Sequence, residues 1–190
     1  MVTLWLPTHE QLIFGPIALL SPLAMVLWKR PRLNELGLGY RGLLRSLWIL
    51  PAAVGLSILG ILLAQNLGTF HELYQADLRH VGGYVAWTLY QQFLLQDYFV
   101  PRLTRLLNSN LAIGFAAALF ANAHLPNLPL VAATLVWGAV SCVLFRRYRN
   151  LYMLGLAQGL LGLCFAVCIP DAMIHHMRVG LGYWRYHPVP

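Results

Sequence analysis

The chain has 190 residues, of which 59% are hydrophobic and only 10% charged, and its 13 Lys or Arg against 6 Asp or Glu leave a net charge of +7. Soluble domains run at about 45–50% apolar and about 25% charged, so this composition argues against a soluble enzyme, a disordered tail and a nucleic-acid-binding domain. All basic residues except Lys29 are Arg, and the three cysteines, Cys142, Cys164 and Cys168, each lie in an apolar run, where a thiol behaves as a small buried hydrophobe.

Six apolar segments follow one another, roughly 11–28, 47–65, 81–101, 111–128, 130–145 and 151–169. All but the fifth approach the roughly 20 residues that a bilayer-crossing helix needs, and the fifth can borrow from its flanks. The expected fold is therefore all-α: a polytopic membrane bundle of about six transmembrane helices, with residues 1–190 forming a single integral membrane domain. No internal repeat or low-complexity tract interrupts it.

Between the segments the basic residues alternate. Lys29, Arg30, Arg32, Arg41 and Arg45 follow the first, Arg102 and Arg105 the third, and Arg146, Arg147 and Arg149 the fifth, whereas the other connections and the ends hold only Arg79, Arg178 and Arg185. By the positive-inside rule both termini then lie outside, and a bacterial inner membrane is the expected location. The N-terminus does not read as a cleavable signal, because it lacks a basic n-region and Lys29-Arg30-Pro31-Arg32 follows its apolar run at once. The aromatic stretch Tyr183-Trp184-Arg185-Tyr186-His187 reads as an interfacial anchor.

Polar groups at bilayer depth need a partner or a wet cavity. The third segment carries Gln91, Gln92 and Gln96, with Gln92 and Gln96 on one face; the fourth carries Phe120, Asn122 and His124 before the break Leu125-Pro126-Asn127; the sixth carries Gln158 among Gly155, Gly159 and Gly162. Counting along the helices puts Gln91 and Gln92 about 16 Å from one side, with Gln158 about 12 Å and His124 about 20 Å from the other. A shared cavity is feasible.

In the order and spacing of these motifs the chain resembles the CPBP family of intramembrane proteins, the CAAX prenyl protease and bacteriocin-processing group also called Abi. That family is recognised by Glu-Glu-x-x-x-Arg, then Phe-x-x-x-His, then His-x-x-x-Asn or His-x-x-x-Asp. Phe120 and His124 match the second motif, Leu125-Pro126-Asn127 continues it, and Arg149-Asn150-Leu151 also has the family's look; the resemblance covers about residues 81–185. It implies an intramembrane peptidase acting on membrane-embedded or prenylated peptides. It also implies that Gln91 and Gln92 stand at the paired glutamates, Gln96 at the Arg, Gln158 at the second His and Gly162 at the Asn or Asp.

Those substitutions matter chemically. In the family a glutamate is understood to activate water, and a Gln amide can orient water but cannot take its proton. The candidate catalytic set is therefore His124, Gln91, Gln92 and Gln158, with Gln96, Phe120, Asn122 and Asn127 as candidate substrate contacts. For the glutamines the competing role is interhelical hydrogen bonding, and for His124 a bond to Asn122 or to a carbonyl at the helix break. Asp97 could replace the missing base, but a structural ion pair with Arg102 or Arg105 fits it better.

No cofactor or metal is expected. Cys164 and Cys168 share a helical face but have no His or carboxylate at ligand spacing, and the adjacent His175 and His176 near Asp171 point in different directions on a helix. Expected partners are the lipid bilayer, a transmembrane or lipidated peptide or an isoprenoid or lipid ligand, and a larger membrane-protein complex; nucleic acid is not among them. The alternative to a peptidase is a noncatalytic protein that binds a lipid, isoprenoid or transmembrane partner in the same cavity, or stabilises a complex.

Overall fold

A computed structural model describes residues 2–73 and 77–186, and among these every regular element is helical. A 3-10 turn (Val2–Trp5) precedes α1 (Thr8–Leu27), α2 (Tyr40–Ser46), α3 (Ile49–Leu67) and α4 (Leu78–Phe93). Helix α4 runs through a π-helical segment (Leu94–Phe99) into α5 (Val100–Leu103), and α6 (Ser109–Asn122), α7 (Leu128–Tyr148) and α8 (Leu151–Cys168) follow. Two short helices, α9 (Asp171–Ile174) and α10 (Leu181–Trp184), close the chain.

The starts are written in the sequence. Asp77, Asn108, Asn127 and Asn150 each accept the backbone N–H three residues on, from His80, Leu111, Leu130 and Met153, so an Asx side chain satisfies an otherwise orphaned donor at the head of α4, α6, α7 and α8. Helix α3 ends at Gly68, whose φ of 69° is left-handed and free of Cβ strain only in glycine. Helix α6 stops at Asn122 because the chain is approaching Pro126, and the residue before a proline is biased away from helix.

Four stretches, Thr8–Leu27, Gly42–Leu67, Leu128–Tyr148 and Leu151–Cys168, are long and apolar enough to cross a bilayer. The protein is an all-α polytopic membrane bundle, and the six apolar segments correspond to α1, α3, α4 to α5, α6, α7 and α8. The fifth is fuller than its apolar run, 21 residues, and the fourth is shorter, 14, so that His124 lies in the turn after α6 rather than on it. Large apolar side chains such as Leu12, Leu20, Leu62 and Val136 face outward, as lipid contact requires.

Helix α8 packs between α3 and α4, and α6 lies along α7. Close approach depends on missing side chains: a Cβ on Gly155 would stand 2.9 Å from the Leu89 Cα, one on Gly159 3.3 Å from Thr88 Oγ1, and one on Gly138 3.3 Å from the Ala117 Cα. Such small-residue seams let two helices meet backbone to backbone in a membrane. They bring α4 and α8 together along the face that carries the glutamines.

Candidate functional site

Tyr84, Thr88, Gln92 and Gln96 recur every four residues and form one stripe along α4 and the π segment, opposite the glycine seam of α8. Thr88 is satisfied by the carbonyls of Val85 at 2.8 Å and Gly155 at 2.9 Å. Below it the amides join. Gln92 Nε2 donates to Gln158 Oε1 at 2.6 Å, Gln158 Nε2 donates to Gln91 Oε1 at 2.5 Å, and Gln96 Nε2 donates to Gln92 Oε1 at 3.1 Å and to Ser141 Oγ at 3.3 Å. The serine in turn donates to the Gly138 carbonyl at 3.1 Å.

One indole sets the direction of the whole chain of bonds. Trp137 Nε1, which can only donate, reaches Gln158 Oε1 at 3.1 Å. The atom it meets must be oxygen, so the nitrogen of Gln158 faces Gln91, Gln92 must offer its nitrogen to Gln158, and its oxygen is left for Gln96. The last member has no donor to answer it: Gln96 Oε1 is buried without a partner. Gln92 and Gln96 are sealed from the surroundings, at 0% and 1% exposure.

Gln91, Gln158 and His124 also line a cavity of about 520 Å³, walled mainly by apolar side chains including Leu56, Trp87, Trp137, Val140 and Phe165. His124 is held by its Nδ1–H, which donates to the Phe120 carbonyl at 2.9 Å, and its ring meets that of Phe120 edge-on at 5.2 Å. That bond assigns the proton to Nδ1 and leaves Nε2 as the acceptor of the ring. Among the described residues no hydrogen bond joins His124 to the glutamines; they share the cavity wall instead.

The other candidates occupy different positions. Phe120 is buried between α6 and α7 and contributes its carbonyl. Asn122 is exposed and does not line the cavity. Asn127 is fully buried and spent on structure: its oxygen caps α7, and its amide donates to the carbonyls of Ile174 at 2.7 Å and Arg178 at 3.3 Å, which ties the C-terminal segment to the bundle. Asp97 makes no direct ion pair with Arg102 or Arg105, since no Lys or Arg among the described residues lies within 4.0 Å of a carboxylate.

Sequence reasoning passed over Trp137, Ser141, Thr88 and Tyr84. The signal for the last two was the four-residue recurrence with the glutamines, and for the first two the helical spacing of Thr134, Trp137 and Ser141 on α7. Tyr84 lies against α8 so closely that a Cβ on Gly162 would meet its hydroxyl. Outside the bundle, burial works against ionisation of Asp171, but the Tyr186 hydroxyl, the His176 N–H and the neighbouring imidazoles outweigh it and hold the carboxyl below its usual range. The Cys164 and Cys168 sulfurs lie 3.6 Å apart, and no group of three or more His, Cys, Asp or Glu suited to a metal occurs among the described residues.

Chemically, this wall is polar but neutral. It offers amide, indole and phenol groups and one imidazole lone pair, and its interior amides are engaged with one another. It can orient a polar group of a bound molecule, and an amide in it cannot deprotonate water.

The family model described as Type II CAAX prenyl endopeptidase, Rce1-like, matches residues 78–164. That span runs from the first residue of α4 to Cys164 in α8 and contains every glutamine of the network, His124 and Trp137. No curated protein and no solved structure matches the chain. Residues 78–164, a little under half of the chain, are thus similar to the Rce1-like CAAX prenyl endopeptidases of the CPBP family.

Proposed function

We propose that this protein is a noncatalytic member of its family, a membrane-embedded receptor that holds the isoprenoid or acyl chain of a lipid or lipidated peptide in the cavity between α4, α7 and α8. One observation carries the reading. The positions that the resemblance aligns with the family's glutamates are amides, closed on Gln158 and oriented by Trp137, so the polar wall is built to be neutral. A carboxylate there would be costly to desolvate, whereas an apolar chain with a hydrogen-bonding end meets a matching surface.

The competing reading, a peptidase using His124, has the free Nε2 lone pair in its favour. The test is to offer purified protein a prenylated peptide bearing a photoreactive isoprenoid. The receptor reading expects labelling of residues on α4, α7 or α8, competition by unlabelled isoprenoid, and no cleavage. Cleavage that survives in the native chain and is lost in His124→Ala, with labelling unchanged, would replace the receptor by the peptidase. No labelling and no cleavage would remove both.

A further inference from the structure

A second recess, of about 160 Å³, lies at the other end of α4, where the C-terminus of α1 and the loop after it meet the π segment and α5. Lys29, Arg102 and Arg105 line it with Glu35 and Asp97, and Arg30 and Arg32 belong to the same loop. Two carboxylates therefore share the recess with three cations, and none of these cations has a carboxylate oxygen within 4.0 Å. Both carboxylates are partly withdrawn as well: Glu35 Oε2 accepts the Arg32 backbone N–H at 3.1 Å, and Asp97 Oδ2 is sealed from the outside. Arg102 is preorganised, one N–H on the Tyr98 carbonyl at 2.8 Å and its plane 3.8 Å above the Tyr98 ring, which leaves the rest of its fork free for an anion.

The surroundings say which anion. Met25, Val26 and Leu36 form an apolar side of the recess, and beside Lys29 stands Trp28, 89% exposed. An indole so placed at the end of a membrane helix sits at headgroup level, with the outward apolar face of α1 running away from it into hydrocarbon. We infer that this recess binds the phosphate of an anionic phospholipid, with the acyl chains lying along α1. The lipid would clamp α1 to the π segment that carries Gln96, where the Tyr98 hydroxyl meets Met25 Sδ at 3.8 Å, while on α4 the Tyr90 hydroxyl donates to the Leu19 carbonyl. The inference stands apart from the proposed receptor function.

The experiment uses full-length protein reconstituted in phosphatidylcholine vesicles containing about one-third phosphatidylglycerol, re-extracted in mild detergent, with the retained lipid quantified by mass. The native chain is expected to enrich phosphatidylglycerol by at least about tenfold. K29Q/R105Q, which alters two exposed side chains that make no hydrogen bond among the described residues, should lose most of that enrichment, and R146Q/R147Q, which removes equal charge at the end of α7, should keep it. Equal loss in both variants, or none in either, would reduce the effect to surface charge and overturn the site. Displacement of the lipid by millimolar inorganic phosphate would assign the recess to the free anion and overturn the lipid.

Discussion

Gln92→Glu is the sharpest probe of the amide network. In the native chain Gln92 Nε2 lies 2.6 Å from Gln158 Oε1, and that oxygen cannot turn away because Trp137 donates to it. A carboxylate at 92 would set oxygen against oxygen, keep only the Gln96 donor, and do so at a wholly buried position. Losing one hydrogen bond costs about 1 kcal/mol and a buried charge lacking its partner about 3–5 kcal/mol, so a loss of about 4–6 kcal/mol is expected. Gln92→Met should cost less, about 1–2 kcal/mol, because Gln158 keeps Trp137 and Gln96 keeps Ser141. The decisive variant is Gln92→Glu with Trp137→Phe. Without the indole N–H, Gln158 can rotate its amide, offer nitrogen to Glu at 92 and oxygen to a rotated Gln91, and the carboxylate gains a second donor. The double variant should then be more stable than the sum of the singles by at least about 1 kcal/mol, in a four-cornered cycle read from reversible unfolding in mixed detergent. Additive losses, or a Glu tolerated as well as Met, would refute the fixed polarity on which the site description rests.

Other outcomes follow from single contacts. Gly155→Ala should destabilise the bundle by about 1–3 kcal/mol, because its Cβ would press on the Leu89 backbone, whereas Gly83→Ala, with open space around it, should be neutral or stabilising by up to about 1 kcal/mol in the same unfolding assay. Asp171 has a lowered carboxyl pKa in the fold, so its contribution to holding the C-terminal segment is present above the unfolded value of about 3.9 and is lost as pH falls through the folded one. The hydrogen-exchange protection of the backbone from Tyr183 to Tyr186, taken relative to the intrinsic exchange rate at each pH, should therefore fall on acidification, and Asp171→Asn should flatten that response. For topology, a reporter fused at Pro190 should be exported and one placed near Arg41 retained, and a common side for both would overturn the alternation of basic loops.

Much of the architecture was legible because the membrane imposes it. Apolar runs near 20 residues are forced by the solvation of the backbone in lipid, and α1, α3, α7 and α8 appear where those runs stand. What was not legible depends on contacts across helices. Nothing local marks residues 94–99 as π-helical, and the short α6 was hidden because the apolar run continues past Asn122 to Leu128. Asn127 looked like a site residue because of its spacing after His124, yet capping and the link to Ile174 occupy it fully. Trp137 was invisible for the opposite reason: as an aromatic on a membrane helix it reads as packing surface, and its role rests on where a single N–H happens to point.

The four glutamines make sense as a set more than as separate polar residues. Four amides placed at random in hydrocarbon would leave several donors and acceptors unanswered, each costing several kcal/mol. Here the amides of Gln91, Gln92, Gln96 and Gln158 interlock, a serine and an indole close the two sides of the network, and Gln96 Oε1 is the one amide atom of the four that is buried with no partner. The same mutual fit is steric at Gly162, where the Tyr84 hydroxyl fills the space a side chain would need. An Asn at that position would displace Tyr84, and a Glu at 92 would collide with an oxygen that Trp137 holds in place. Changing either residue therefore requires changes at its partners as well, which is the expected property of an interlocked, uncharged network.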